Sequence, residues 1–165
     1  MKVGIVGIGG LGQFTVQMAM IKGCEVYASD VSEAATKLAE ELGCKKVYNN
    51  IVDMKEAECD LIVDFAGFGK TTADALEAIK PKGTVVIVGM GVLQSEINTY
   101  LVITKEIRLL GSNGGTIEDL KVVYECFATG KMTPQLTTIP FEEIDKGLEK
   151  LKNHEVKGRL VAVFK

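Results

Sequence analysis

Histidine is nearly absent from this chain: it occurs once, at His154, in 165 residues. The four cysteines, Cys24, Cys44, Cys59 and Cys126, are widely spaced and form no C-x-x-C pair. Neither a zinc site nor a disulfide framework follows from such a set, and the metal-ligand assignment is none. The cysteines read as free thiols packed at helix and strand ends, with a reducing cytoplasm as the expected compartment. A run of basic residues is also missing: 19 Lys and Arg stand against 22 Asp and Glu, for a net charge of −3. That excludes the electrostatic footprint of a nucleic-acid or membrane partner. A small phosphate ligand stays open, because backbone N–H groups at a helix start can hold one without net positive charge. No apolar stretch is long enough to span a bilayer, and no leader, internal repeat or low-complexity segment is visible. What remains is a globular composition, 47% hydrophobic and 25% charged, of a size suited to one core.

Along the chain, short apolar runs alternate with amphipathic segments. Residues 2–7 (KVGIVG) predict a strand buried on both faces and closed by glycine. A helix is expected over 10–22, stopped by Gly23, then a strand over 25–29 ending at Asp30. Ser32 reads as the N-cap of a second helix with Ala35, Leu38, Ala39 and Leu42 on its buried face. Further strands are expected over 46–48, 60–65, 84–89 and 108–112, with helices over 71–79 and 117–129. This alternation implies right-handed crossovers and a doubly wound α/β fold: a Rossmann parallel six-stranded sheet in the order 3-2-1-4-5-6. Residues 1–133 form that domain. Residues 134–165 form a tail, with an irregular stretch between Pro134 and Pro140, an extra amphipathic helix over 141–151 and a terminal strand over 159–164.

Between the first strand and the first helix lies Gly7-Ile8-Gly9-Gly10-Leu11-Gly12, a G-x-G-x-x-G. Gly7 permits the tight turn, Gly9 lets a pyrophosphate approach the backbone, and Gly12 lets the helix pack close to the sheet. The N–H groups of the first helical turn, helped by the helix dipole, then hold two phosphates. The plain alternative is a strand–helix turn without a ligand. Asp30, closing the next strand, is placed to accept hydrogen bonds from adenosine ribose hydroxyls and to repel a 2′-phosphate. No arginine follows it to soften that repulsion. The reading is therefore NAD rather than NADP, the alternative for Asp30 being an ordinary loop carboxylate.

The segments GIGGLG, DLIVDFAG, KPKGTVVIVGMG, LLGSNGGTIEDL and PFEEIDKGLEKLKNHEVKGRLVAVF together resemble the coenzyme domain and C-terminal tail of zinc-dependent medium-chain alcohol dehydrogenases. The resemblance implies that Gly7, Gly9, Gly10, Leu11 and Gly12 line the pyrophosphate and Asp30 the adenosine ribose. It places Phe65 and Ala66 on the adenine side. Val88, Met90, Ser112 and Gly114 fall where the family holds the nicotinamide carboxamide with backbone groups. Arg159 falls where a tail arginine reaches the phosphates, against a plain reading as a solvated strand-edge arginine. Ala35 departs from the family, which often carries a lysine there.

The same resemblance implies an NAD-dependent alcohol dehydrogenase that transfers hydride between an alcohol or carbonyl substrate and nicotinamide, as a homodimer or tetramer. In that family a catalytic domain precedes the first Rossmann strand and supplies the zinc and the proton relay. Here that strand begins one residue after Met1, so a chain that binds NAD(H) without turnover is expected, with zinc only in the missing domain. No catalytic residue is assigned within 1–165; Lys22, Lys70 and His154 show no nucleophile–base pairing. A free-standing NAD-sensing regulatory domain is the alternative. A methyltransferase fits poorly, because the second mononucleotide-like half and LLGSNGG speak against it.

Overall fold

A computed structural model describes residues 1–153 and 155–164. Of the residues singled out above, His154 lies outside the described residues. Six strands form the main sheet: β1 (Lys2–Val6), β2 (Glu25–Ser29), β3 (Lys46–Tyr48), β4 (Leu61–Asp64), β5 (Thr84–Ile87) and β6 (Arg108–Gly111). Their spatial order is β3-β2-β1-β4-β5-β6, and each pair is parallel. This is the doubly wound Rossmann arrangement, with the order reversing between β1 and β4.

The alternation of side chains along each strand divides the core into two layers. Val3 and Ile5 of β1, with Val26 and Ala28 of β2, pack against Val16 of α1 (Gly12–Ile21) and against Leu38 and Ala39 of α2 (Glu33–Glu41). On the opposite face, Val6, Tyr27, Ile62 and Val85 pack against Ala75, Leu76 and Ala78 of α3 (Lys70–Ala78) and against Met54 and Ala57 of a 3-10 helix over Ile51–Ala57. Gly4 belongs to this second face: a Cβ there would fall 2.3 Å from the Met54 sulfur, so the 3-10 helix approaches β1 because the side chain is missing.

The structure differs locally from the sequence pattern at several places. The stretch between Pro134 and Pro140 is not irregular; it contains β7 (Leu136–Pro140), which pairs in parallel with β8 (Arg159–Val163). Thr137, Thr138 and Ile139 are β-branched and suit an extended backbone, and Pro140 can close the strand because it sits at its end. The tail helix starts later than its amphipathic pattern, as a 3-10 turn over Phe141–Glu143 leads into α6 (Ile144–Lys152). Ser32 is the N-cap of α2, yet its side chain makes no capping bond; its N–H donates instead to Asp30 Oδ1 at 2.8 Å. The 3-10 helix over Ile51–Ala57 and α4 (Thr99–Thr104) are additional, and both are too short to show a helical period in sequence. The remaining helix is α5 (Ile117–Ala128), opened by a capping box between Thr116 and Asp119.

The tail is tied to the main domain through α1. Gln17 accepts the Thr133 N–H at 2.8 Å and donates to the Thr133 carbonyl at 3.0 Å. Gln13, buried one turn earlier, accepts the Gln135 N–H at 2.7 Å. Phe14 and Phe127 meet edge to face at 5.8 Å, which brings α5 across the same helix.

Candidate functional site

The site is built by strand register. Ser29, Val6, Asp64, Ile87 and Gly111 lie in one row across the sheet. The residues that follow them are Asp30, Gly7, Phe65, Val88 and Ser112, so five separate sequence motifs emerge side by side at the carboxyl edge. The ladder extends one bond further at most of these exits. Gly7 N–H donates to the Ser29 carbonyl at 2.9 Å, Phe65 to Val6 at 2.8 Å, Val88 to Asp64 at 2.9 Å and Ser112 to Ile87 at 3.0 Å. Ligands of open α/β sheets lie outside this edge, in the crevice where strand order reverses. Here that crevice falls between the Gly7–Gly12 loop and the Phe65–Ala66 turn, with Ala66 N only 3.2 Å from where a Gly7 Cβ would stand.

Within the loop the glycines do different work. Gly7 has φ +86°, the left-handed turn off β1. A Cβ on Gly12 would sit 1.9 Å from the Gly7 carbonyl oxygen, so this residue sets how closely α1 begins against the loop. Around Gly9 the same construction meets nothing within 4 Å: its face opens outward, leaving the backbone approachable. Gly10 and Leu11 donate no backbone hydrogen bond among the described residues, and both lie at the positive end of the α1 dipole. A phosphate group fits this cradle. Arg159 contributes a charge to it: its Cδ and Nη1 stand 2.9 Å from the Cβ position of Gly10.

Asp30 is partly exposed and fixed at both oxygens. Oδ2 accepts the Ile8 N–H at 2.7 Å, and Oδ1 accepts the Ser32 N–H. Each carboxylate oxygen retains a further acceptor position for a hydroxyl group. Beside it opens a cleft of about 370 Å³ lined by Asp30, Val31, Glu33, Thr36 and Asn49. Two carboxylates and no cation line this cleft, which suits a ribose and disfavours an added phosphate.

Asp64 is the residue that sequence reading passed over. Its side chain is fully buried at the end of β4 and accepts four hydrogen bonds: from the N–H groups of Ala66 (3.0 Å) and Gly67 (2.9 Å), and from the hydroxyls of Thr71 and Thr72 (both 2.8 Å). Its carbonyl accepts the N–H groups of Val88 and Gly89 at 2.9 and 3.0 Å. One residue thus shapes the Phe65–Ala66 turn and the start of the Val88–Met90 loop. The two loops also cross backbone to backbone, with a Gly67 Cβ placed 2.0 Å from the Gly89 carbonyl. The available signal was a carboxylate closing an otherwise apolar strand, with two threonines downstream.

The other residues suggested by sequence vary in setting. Phe65, Ala66 and Val88 are half-buried in the crevice floor, Met90 is exposed, and Ser112 and Gly114 (φ +67°) lie exposed after β6. No nucleophile–base pair joins them. Burial pushes the Cys44 thiol up to about 12 and the Cys59 thiol to about 11, which keeps both protonated and inert. Lys70 is bound to Asp74 at 2.6 Å in an exposed helix pair. Among the described residues no group of three His, Cys, Asp or Glu side chains is placed to hold a metal ion.

A family model described as zinc-binding dehydrogenase matches residues 10–129. An alcohol dehydrogenase of Geobacillus stearothermophilus is 31% identical over 99% of this chain and 50% of its own length. Among solved structures, acetophenone reductase from Geotrichum candidum, in complex with NAD, superposes with TM-score 0.90 at 33% identity over 96% of this chain and 47% of its own. The alcohol dehydrogenase of the hyperthermophilic archaeon Aeropyrum pernix gives TM-score 0.91 at 30% identity, over 98% of this chain and 49% of its own. The chain therefore spans about half the length of the curated relatives it matches.

Proposed function

Because this chain belongs to the zinc-binding dehydrogenase family, we propose that it binds NAD(H) for a dehydrogenase that transfers hydride between an alcohol or carbonyl substrate and nicotinamide. The observation that carries this reading is the pairing of the open glycine loop with Asp30 across the β1–β2 edge. Pyrophosphate would lie on the Gly9–Leu11 backbone with Arg159 beside it. The adenosine ribose would meet Asp30, and Phe65 and Ala66 would border the dinucleotide on the far side of the crevice. Val88 and Met90, with Ser112 and Gly114, would present backbone groups to the nicotinamide carboxamide. Bound NAD supplies the hydride acceptor; the chain's own contribution is binding and orientation.

Two features restrict the reading. The cleft beside Asp30 carries Glu33 as well, which favours NAD over NADP. A family zinc would act as Lewis acid on the substrate oxygen, and among the described residues no set of ligands is placed to hold one. We propose further that β6 pairs with its twin in a homodimer or tetramer, because it is an edge strand with Leu110 about half exposed. Free cysteines suit a cytoplasmic setting.

The test is NADH binding followed by fluorescence of the cofactor, together with assay of NADH formation from NAD and simple alcohols. The 165-residue chain is expected to bind and not to turn over. Alcohol-dependent NADH production by the pure chain would contradict the division of labour proposed here.

A further inference from the structure

We infer that Gln13 is a positioning residue for Arg159, acting through the tail to hold the guanidinium over the glycine loop. This inference rests on the cofactor reading above for its consequence, though not for its geometry.

Gln13 is only 1% exposed, one residue into α1 after Gly12. Its Oε1 accepts the N–H of Gln135, a residue 122 positions away. The Gln135 carbonyl in turn accepts the Arg159 N–H at 2.9 Å. This second link needs a close approach: Gly158 has φ +73°, and a Cβ there would fall 2.1 Å from the Gln135 oxygen. From that anchored backbone the Arg159 side chain reaches back to Gly10. The path is a closed circuit. It leaves the phosphate cradle through the first turn of α1, crosses two hydrogen bonds in the tail, and returns to the cradle as a cation.

The amide of Gln13 is only half used. Its Nε2 is buried with no hydrogen-bond partner among the described residues, and a buried unpaired donor is destabilising. A methionine or leucine would fill similar volume without that donor. What glutamine adds at this position is the acceptor for Gln135. Gln17, on the next turn, repeats the arrangement with both bonds to Thr133, so the tail is held at two successive points on one helix face. Without the buried clamp, Arg159 would keep its charge but lose its fixed place over Gly10.

The test is a double-mutant cycle in the 165-residue chain, with NADH affinity measured by calorimetry for Q13M, R159A and the pair. Each single variant is expected to weaken binding about tenfold, the scale of a charge-assisted contact. The double variant should bind no more weakly than R159A, because Gln13 acts through Arg159. Losses that multiply to about a hundredfold, or Q13M binding like the wild type, would overturn the inference. A merely structural role for Gln13 would lower stability and affinity without regard to Arg159. Hydrogen exchange supplies a readout independent of the cofactor: in Q13M, the amides of Thr133, Gln135, Leu136 and residues 158–160 should exchange faster while β1 and β4 keep their protection. Unchanged tail protection refutes the clamp even if the wild type fails to bind NADH, a failure that counts against the cofactor reading alone. Should Q13M not fold, Q17M removes the neighbouring bonds from a half-buried position and should show the same non-additivity with R159A.

Discussion

The Asp30 carboxylate accepts the Ile8 N–H at 2.7 Å, tying the residue after β2 to the glycine loop after β1. The parts of the crevice proposed above to meet ribose and phosphate are therefore directly joined. In Asp30→Asn the size is kept and the charge removed. One unit charge facing a phosphate at 4 Å is worth about 1 to 4 kcal/mol depending on screening. The preference for NADH over NADPH should fall by about tenfold, read from parallel titrations. An unchanged ratio would mean that the carboxylate does not face the ribose 2′ position.

Gly9 and Gly12 separate binding from folding. A Cβ on Gly9 meets no atom within 4 Å, so Gly9→Ala should melt close to the wild type while losing most of its NADH affinity. A Cβ on Gly12 strikes the Gly7 carbonyl, and overlap with backbone has no cheap relief. Gly12→Ala should cost about 3 kcal/mol. Urea denaturation of both variants checks the contrast. Equal stability loss in the two would contradict it.

Asp64 should be needed for stability before it is needed for binding. Asp64→Ala leaves four buried or half-buried donors without their acceptor, a cost on the order of 3 kcal/mol. Asp64→Asn keeps one acceptor oxygen, and the threonine hydroxyls can turn to receive the new amide, so about 1 kcal/mol is expected. Chemical denaturation with a near-ultraviolet probe on the tyrosines would order the three proteins. If alanine and asparagine are equally mild, the loop does not depend on this carboxylate.

The β6 edge predicts self-association. Leu110 is 52% exposed on an edge strand with no described strand beyond it, and Leu110→Lys should shift the chain toward monomer in sedimentation velocity. A wild type that stays monomeric at high concentration would remove this part of the proposal.

Much of the fold was legible because its signals are local and strong. Strands such as residues 84–87 are apolar on both faces, and glycines or proline mark where helices end. The glycine loop and Asp30 were legible for the same reason: a tight turn and a carboxylate at a strand end carry their chemistry in their residue types. Asp64, Gln13 and β7 were not. Asp64 matters through donors on the following turn, in the first turn of α3 up to eight residues downstream, and on the β5 exit. Gln13 matters through a bond to a residue at the other end of the chain. For β7, the partner strand lies beyond α6, and two prolines near its ends masked a five-residue run. Long-range pairing leaves little periodicity to read.

The central claim is that the crevice between β1 and β4 holds NAD(H), chosen by Asp30. Calorimetric titration of the purified chain with NADH, NADPH and S-adenosylmethionine in parallel tests it most directly. The account predicts one NADH per chain, bound well above NADPH, and no heat from S-adenosylmethionine. Equal or tighter binding of NADPH would contradict the role of Asp30, and binding of S-adenosylmethionine alone would contradict the assignment of the crevice.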